Sequence, residues 1–213
     1  KKRDKPVELL EISYLGIWDT VGALGLPGFL GFVAKWTNKK YAFHDMKLSS
    51  SVKSAYHAVA LDERRKAYPP SLWDNLPKLN TLAAKGAARY QQKWFAGDHG
   101  SVGGGGEIRG LSAYTFGWIA EGAGNQGLEL NEEYLKSVTN LCDASVRVNK
   151  APLGVMSKIW FLNADRKGPK YVADVHPSVV DKIALGASNK EGPYRPGSLA
   201  RVWDLLPGLL PEK

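Results

Sequence analysis

Cysteine is almost absent: Cys142 stands alone in 213 residues. An internal disulfide and a CxxC metal site are therefore excluded within them. No run reaches the roughly 18 apolar residues that a transmembrane helix needs. The HExxH pattern is missing, and the glycine run Gly103 to Gly106 lacks the GxxxxGK[ST] and GxGxxG patterns with a following helix cradle and basic residue, so neither a zinc protease helix nor a phosphate-cradling loop there is indicated. GxSxG, the elbow that carries an α/β-hydrolase serine, is missing too. Basic residues outnumber acidic ones, 29 to 21, for a net charge of +8. Apart from Lys1, Lys2, Arg3 and Lys5 they are dispersed, and no basic stripe interleaves with aromatics. Nucleic acid is thus not an expected partner, whereas the charge suits either solubility or an anionic surface. The first nine residues, KKRDKPVEL, lack a signal-peptide pattern, and the start at Lys1 predicts a chain processed or cut from something longer.

What is present is a folding composition, 44% hydrophobic and 23% charged. Val7 to Trp18 reads as a buried strand ending at Asp19, followed by the glycine-rich loop GALGLPGFLGF. Val52, Ala55, Tyr56 and Val59 fall on one helical face behind Ser49 to Ser51, which predicts a helix running into Leu61. Leu82 to Arg89 predicts a short helix and Tyr90 to Ala96 a strand. That strand opens into GDHGSVGGGG, which reads as a long loop. Ser112 predicts the cap of a helix over Ala113 to Glu121, and Asn131 the cap of another with Leu135, Val138 and Leu141 on its apolar face. Strands alternating with helices favour an α/β fold with a parallel sheet.

Candidate chemistry sits where strands end. Asp19 follows one strand and His99 another, and open α/β sheets build sites outside the carboxyl ends of their strands. A carboxylate that holds one ring nitrogen of a histidine leaves the other free to take a proton from a nucleophile. From spacing alone, Asp19 as a loop cap and His99 as a surface histidine is an open alternative. Gly103 to Gly106 reads as backbone freedom for the loop rather than as a phosphate site. His57 reads as a packed helix histidine, with Arg64 paired to Asp62 or Glu63. His44 and His176 read as structural, and Cys142 has no basic partner nearby in sequence.

Six motifs occur in a fixed order: YLGIWDTVGALGLP, FHD, AYHAVALDERR, WFAGDHGSVGGG, VHPSV and YRPGSL. Together they resemble the α/β-hydrolase-like domain of bacterial and fungal proteins that includes type VI secretion phospholipase effectors. The resemblance runs from about Leu9 to Leu199. It implies an α/β fold: the C-terminal portion of an α/β-hydrolase-like domain filling residues 1–213, with a mainly helical insertion over 20–89. It implies a serine esterase or lipase of phospholipase type. Asp19 would be the acid and His99 the base of a Ser-Asp-His triad whose serine lies upstream of Lys1. No cofactor and no metal are implied. The partners implied are a lipid or other ester substrate, a membrane surface, and an immunity or secretion partner protein. The location implied is the producer's cytoplasm, with export by a signal-peptide-independent route. One departure stands out: the family's HSDVGGG is His99-Gly100-Ser101-Val102-Gly103 here, with Asp98 ahead of the histidine. If the family's aspartate supports this loop, the loop should be looser or rearranged. Ser101 as a substitute nucleophile has poor geometry, two residues from the base. A second reading is a non-catalytic remnant that binds a partner or an anionic membrane. A third, weaker one is a nucleotide-binding protein using the glycine loop.

Overall fold

The computed structural model describes residues 10–21, 47–66, 68–82, 89–148, 163–190 and 192–207. His44 and the loop expected after Val21 lie outside them. Three parallel strands form the sheet: β1 (Leu15–Trp18), β2 (Ala55–Ala60) and β3 (Tyr90–Phe95), in the spatial order β1-β2-β3. Leu15 pairs with Ala55, and Ala55 with Tyr90, so all three strands start level; β2 and β3 also finish level, and β1 ends two residues short of them, Trp18 pairing with Ala58. Their carboxyl ends therefore share one edge. A parallel bridge at Ile12–Val52 continues the β1–β2 pairing before the strands begin, and one at Trp94–Val175 places Val175 beside β3.

The helix expected over Val52 to Leu61 is not there; this stretch is the central strand. Every residue of β2 is buried. Its side chains alternate, with Tyr56, Ala58 and Ala60 in one apolar cluster and Val59 in another. A short apolar run matches both periods, and only its length of six residues points to a strand. The alanines that favour a helix in isolation are needed here for size, because a middle strand of a parallel sheet is covered on both faces. The expected mainly helical insertion over 20–89 thus includes the middle of the sheet, with α1 (Leu76–Leu82) as the helix described within it. The short helix expected at Leu82 to Arg89 ends at Leu82 in α1, and 83–88 lie outside the described residues.

Four further helices follow β3. They are α2 (His99–Gly103), α3 (Gly110–Gly124), α4 (Glu132–Thr139) and α5 (Pro177–Ala184). Helix α3 starts two residues before Ser112, which lies inside it and bonds back to the Arg109 carbonyl. Helix α4 is capped as expected, Asn131 Oδ1 accepting the Tyr134 amide at 2.8 Å. Helix α3 covers one face of the sheet, where Ile119 joins Tyr56, Ala58 and Phe95. The opposite face is covered from the C-terminal part: Val175, Val179, Ile183, Leu199, Val202 and Leu206 close over Val59, Leu61 and Trp94. Residues far along the chain, from Val175 to Leu206, are therefore core-forming.

Helix α3 lies close to the sheet at Gly122. A Cβ there would come within 2.5 Å of the Tyr14 hydroxyl and 2.7 Å of the Tyr56 ring. Gly122→Ala is expected to lower stability by about 1–3 kcal/mol through overpacking. Gly124→Ala, whose Cβ would meet only Leu130 at 3.6 Å, should cost nothing. Urea unfolding of the two variants checks this contrast.

Candidate active site

Asp19 sits one residue past the end of β1, fully buried, with a left-handed φ of 37°. Aspartate tolerates this region better than most residues, yet surrounding bonds must hold it. The Asp19 amide donates to the Ala58 carbonyl at 2.7 Å. The next amide, of Thr20, donates to Nε2 of His57 at 3.3 Å. With Nε2 accepting, His57 Nδ1 donates to Gln92 Oε1 at 3.1 Å. Burial pushes this ring down to about 4, so it is neutral and its tautomer is fixed. His57 is hydrogen-bonded and packed as the sequence suggested, but on a strand, where it braces the turn that presents Asp19.

The Asp19 carboxylate accepts from three residues. Oδ1 takes the Ala60 amide at 2.9 Å and Arg166 Nη1 at 2.5 Å. Oδ2 takes Arg166 Nη2 at 3.0 Å and His99 Nδ1 at 2.7 Å. Burial alone would raise the carboxyl's pKa. The Arg166 hydrogen bonds and charge, the Ala60 amide and His99 outweigh it and hold the group below the usual carboxylate range. The side chain stays ionised at neutral pH.

The structure thus brings together the two residues expected from the sequence, 80 positions apart. His99 opens α2, and its ring sits 5.6 Å from that of Tyr68. With Nδ1–H donated to Asp19, Nε2 carries the lone pair; among the described residues it has no hydrogen-bond partner, and the side chain is 37% exposed. A ring held from behind and open in front is the arrangement a general base requires.

The glycine-rich loop is less open than expected. Asp98 caps α2, its Oδ1 accepting both the amide and the hydroxyl of Ser101 at 2.8 Å. The departure from HSDVGGG therefore leaves an ordered turn, with the carboxylate moved to the cap position. Ser101 is 1% exposed and its hydroxyl is bound to Asp98, so it does not face the base as a nucleophile. Gly97 precedes this turn with φ 121°, a conformation L side chains rarely adopt. Its amide donates to Asp62 Oδ2 at 2.6 Å, and the same oxygen accepts the Tyr194 hydroxyl at 2.7 Å.

Two ion pairs flank the site. Glu63, 2% exposed, takes Arg65 in a bidentate pair at 2.8 and 2.7 Å, and Arg65 also lies over the Tyr68 ring. Arg64 pairs with Asp165 at 2.9 Å rather than with Asp62 or Glu63. Glu63, Arg65 and Asp98 also line a cavity of about 590 Å³ whose wall includes Asp62, Tyr194 and Arg195. That volume suits a small-molecule site. Asp19 and His99 do not line it. Among the described residues there is no group of three or more His, Cys, Asp or Glu able to hold a metal ion.

The family model for the T6SS, phospholipase effector Tle1-like, catalytic domain matches residues 1–122, more than half of the chain. The chain belongs to this family. The phospholipase effector match makes the domain a hydrolase of type VI secretion with a phospholipase's class of substrate, a lipid. No curated protein and no solved structure matches the chain. The Tle1-like match takes in all three strands, Asp19 and His99, and ends inside α3. Arg166 lies beyond it. Sequence reasoning missed this residue: NADRKGP has no motif character, and its partner is 147 positions away.

His176 reads as structural and is so. It caps α5 by accepting the Ser178 amide, and stacks on Phe95 at 4.2 Å. Burial, with Lys93 nearby, pushes its ring down to about 4. The unfolded chain binds a proton at His57 and His176 below about pH 6.5. The folded chain refuses both until about pH 4. Stability contributed by these rings is therefore full above pH 6.5 and lost as the pH falls through that window, by up to about 3 kcal/mol for each. Asp62, pushed up by burial, gives the opposite slope. His176→Asn, which keeps a capping side chain, should remove one share of the fall. Urea midpoints of the two proteins at pH 7, 5.5 and 4 should converge as the pH drops.

Proposed function

We propose that Asp19 and His99 are the acid and base of a Ser-Asp-His triad in a phospholipase-like serine esterase with an α/β-hydrolase-like fold. Residues 1–213 form one partial domain of it. The observation that carries this reading is the 2.7 Å bond from His99 Nδ1 to the buried, ionised Asp19, which leaves Nε2 open. The serine lies outside the 213 residues, N-terminal to Lys1, in the chain order Ser-Asp-His. The sheet supports that order. Strand β1 is at its edge, and a further parallel strand beside it would end next to Asp19.

In this mechanism the serine oxygen attacks the ester carbonyl while His99 Nε2 takes its proton. The imidazolium is stabilised by Asp19 and then protonates the departing alcohol. Water, deprotonated by the same nitrogen, releases the acid from the acyl-enzyme and restores the serine.

Fluorophosphonate labelling of the protein as made in its native host, read by intact mass, tests where the nucleophile is. A labelled species heavier than 23.3 kDa is expected. A labelled 23.3 kDa species would place the nucleophile within these residues and overturn the assignment. In the labelled parent, His99→Ala should cut turnover on a phospholipid by roughly 10³-fold or more. Turnover near normal would remove His99 as base.

The net charge of +8 supports a second part of the proposal, contact with an anionic membrane surface, alongside an immunity or secretion partner protein. Flotation with vesicles containing anionic lipid should carry the chain at low salt, and raised salt should release it. Equal flotation with neutral vesicles would contradict charge-driven binding.

A further inference from the structure

We propose that Arg166, from outside the family-matched segment, is a positioning residue that fixes the Asp19 carboxylate for His99. The inference rests on the reading of these two residues as acid and base. A carboxylate anchored by one amide can turn about its Cβ–Cγ bond. Asp19 is anchored at both oxygens by a single planar fork, Nη1 to Oδ1 and Nη2 to Oδ2. The fork is itself held: Nη1 donates to the Ala60 carbonyl and Nη2 to the Tyr68 carbonyl, each at 2.8 Å. Its side chain is 6% exposed.

Three features set this apart from an ordinary buried ion pair. Oδ2 accepts from both Arg166 and His99, so the guanidinium fixes the acceptor that holds the ring. The carbonyl of Ala60 and the amide of Ala60 meet the same arginine–aspartate pair, tying it to the end of the central strand. Nε is buried and has no hydrogen-bond partner among the described residues, so the orientation of the group there rests on its two terminal nitrogens. Lysine could supply the charge but not the two-pronged geometry.

The test uses the longer parent that carries these 213 residues, labelled with ¹⁵N, and needs no turnover. Wild type should show His99 with Nδ1 protonated and that proton shifted downfield and slow to exchange. It should also show separate, slowly rotating Nη signals for Arg166. In Arg166→Lys the His99 Nδ1 proton should move upfield and exchange about tenfold faster or more. The ring signals of Phe95, Trp118 and His176, which pack together, should stay in place and report an intact fold. A folded Arg166→Lys with unchanged His99 signals would overturn the proposal. If that variant does not fold, the wild-type Arg166 signals decide: averaged Nη signals would overturn it, and distinct ones support it. Should His99→Ala leave turnover intact, the acid–base reading fails, while the coupling of Arg166 to His99 is still read by these spectra.

Discussion

A carboxylate taken wholly out of water costs several kcal/mol unless charge and hydrogen bonds meet it inside the protein. Asp19 has no exposure at all, and it stands at a left-handed turn as well. Much of the surrounding structure answers that one group. The Ala60 amide comes from β2, the ring nitrogen from the start of α2, and the guanidinium from a segment far along the chain. Four bonds to two oxygens nearly saturate the carboxylate. The charge is thereby kept, and the proposed base, His99, has a partner that will not itself take its proton.

Parallel register makes this meeting possible. Because β1, β2 and β3 run parallel from a level start, with β1 ending within two residues of the others, the residues past their ends gather at one edge. Asp19 follows β1, Asp62 and Glu63 follow β2, and Asp98 and His99 follow β3. Four carboxylates at one edge would repel each other if left bare. Each has a local answer instead: Arg166 for Asp19, Tyr194 and the Gly97 amide for Asp62, Arg65 for Glu63, and Ser101 for Asp98. Unlike Asp19 and Glu63, Asp62 is pushed upward by burial; among the described residues it receives hydrogen bonds but no direct ion pair.

The sequence made Asp19 and His99 legible because both follow strands in glycine-bearing motifs, and strand ends are where α/β sites form. It misread AYHAVA because alternation over six residues cannot be told from a helical face when the residues are small. What makes the stretch a strand is pairing on both sides, and neither neighbour is local. The bond between Asp98 and Ser101 was out of reach for a different reason. A carboxylate moved three positions can serve the same turn from its other end, and the spelling of the motif does not show it. Arg166 was least legible, since nothing near it in sequence differs from an ordinary basic loop.

The family match stops at residue 122, but the physical domain does not. If residues after α3 were a separate unit, β1 to β3 should satisfy their own faces without them. They do not. Val59, Leu61 and Trp94 are covered by Val175, Val179, Leu199 and Val202, all from beyond the match. Phe95 is stacked by His176, and the turn ahead of His99 is held through Asp62 by Tyr194. Cutting the chain at the boundary of the match would expose one face of the sheet and leave Asp19 buried without its countercharge. The portion of this chain that the family model leaves unmatched is what closes the core behind Asp19 and His99 and supplies the carboxylate's arginine.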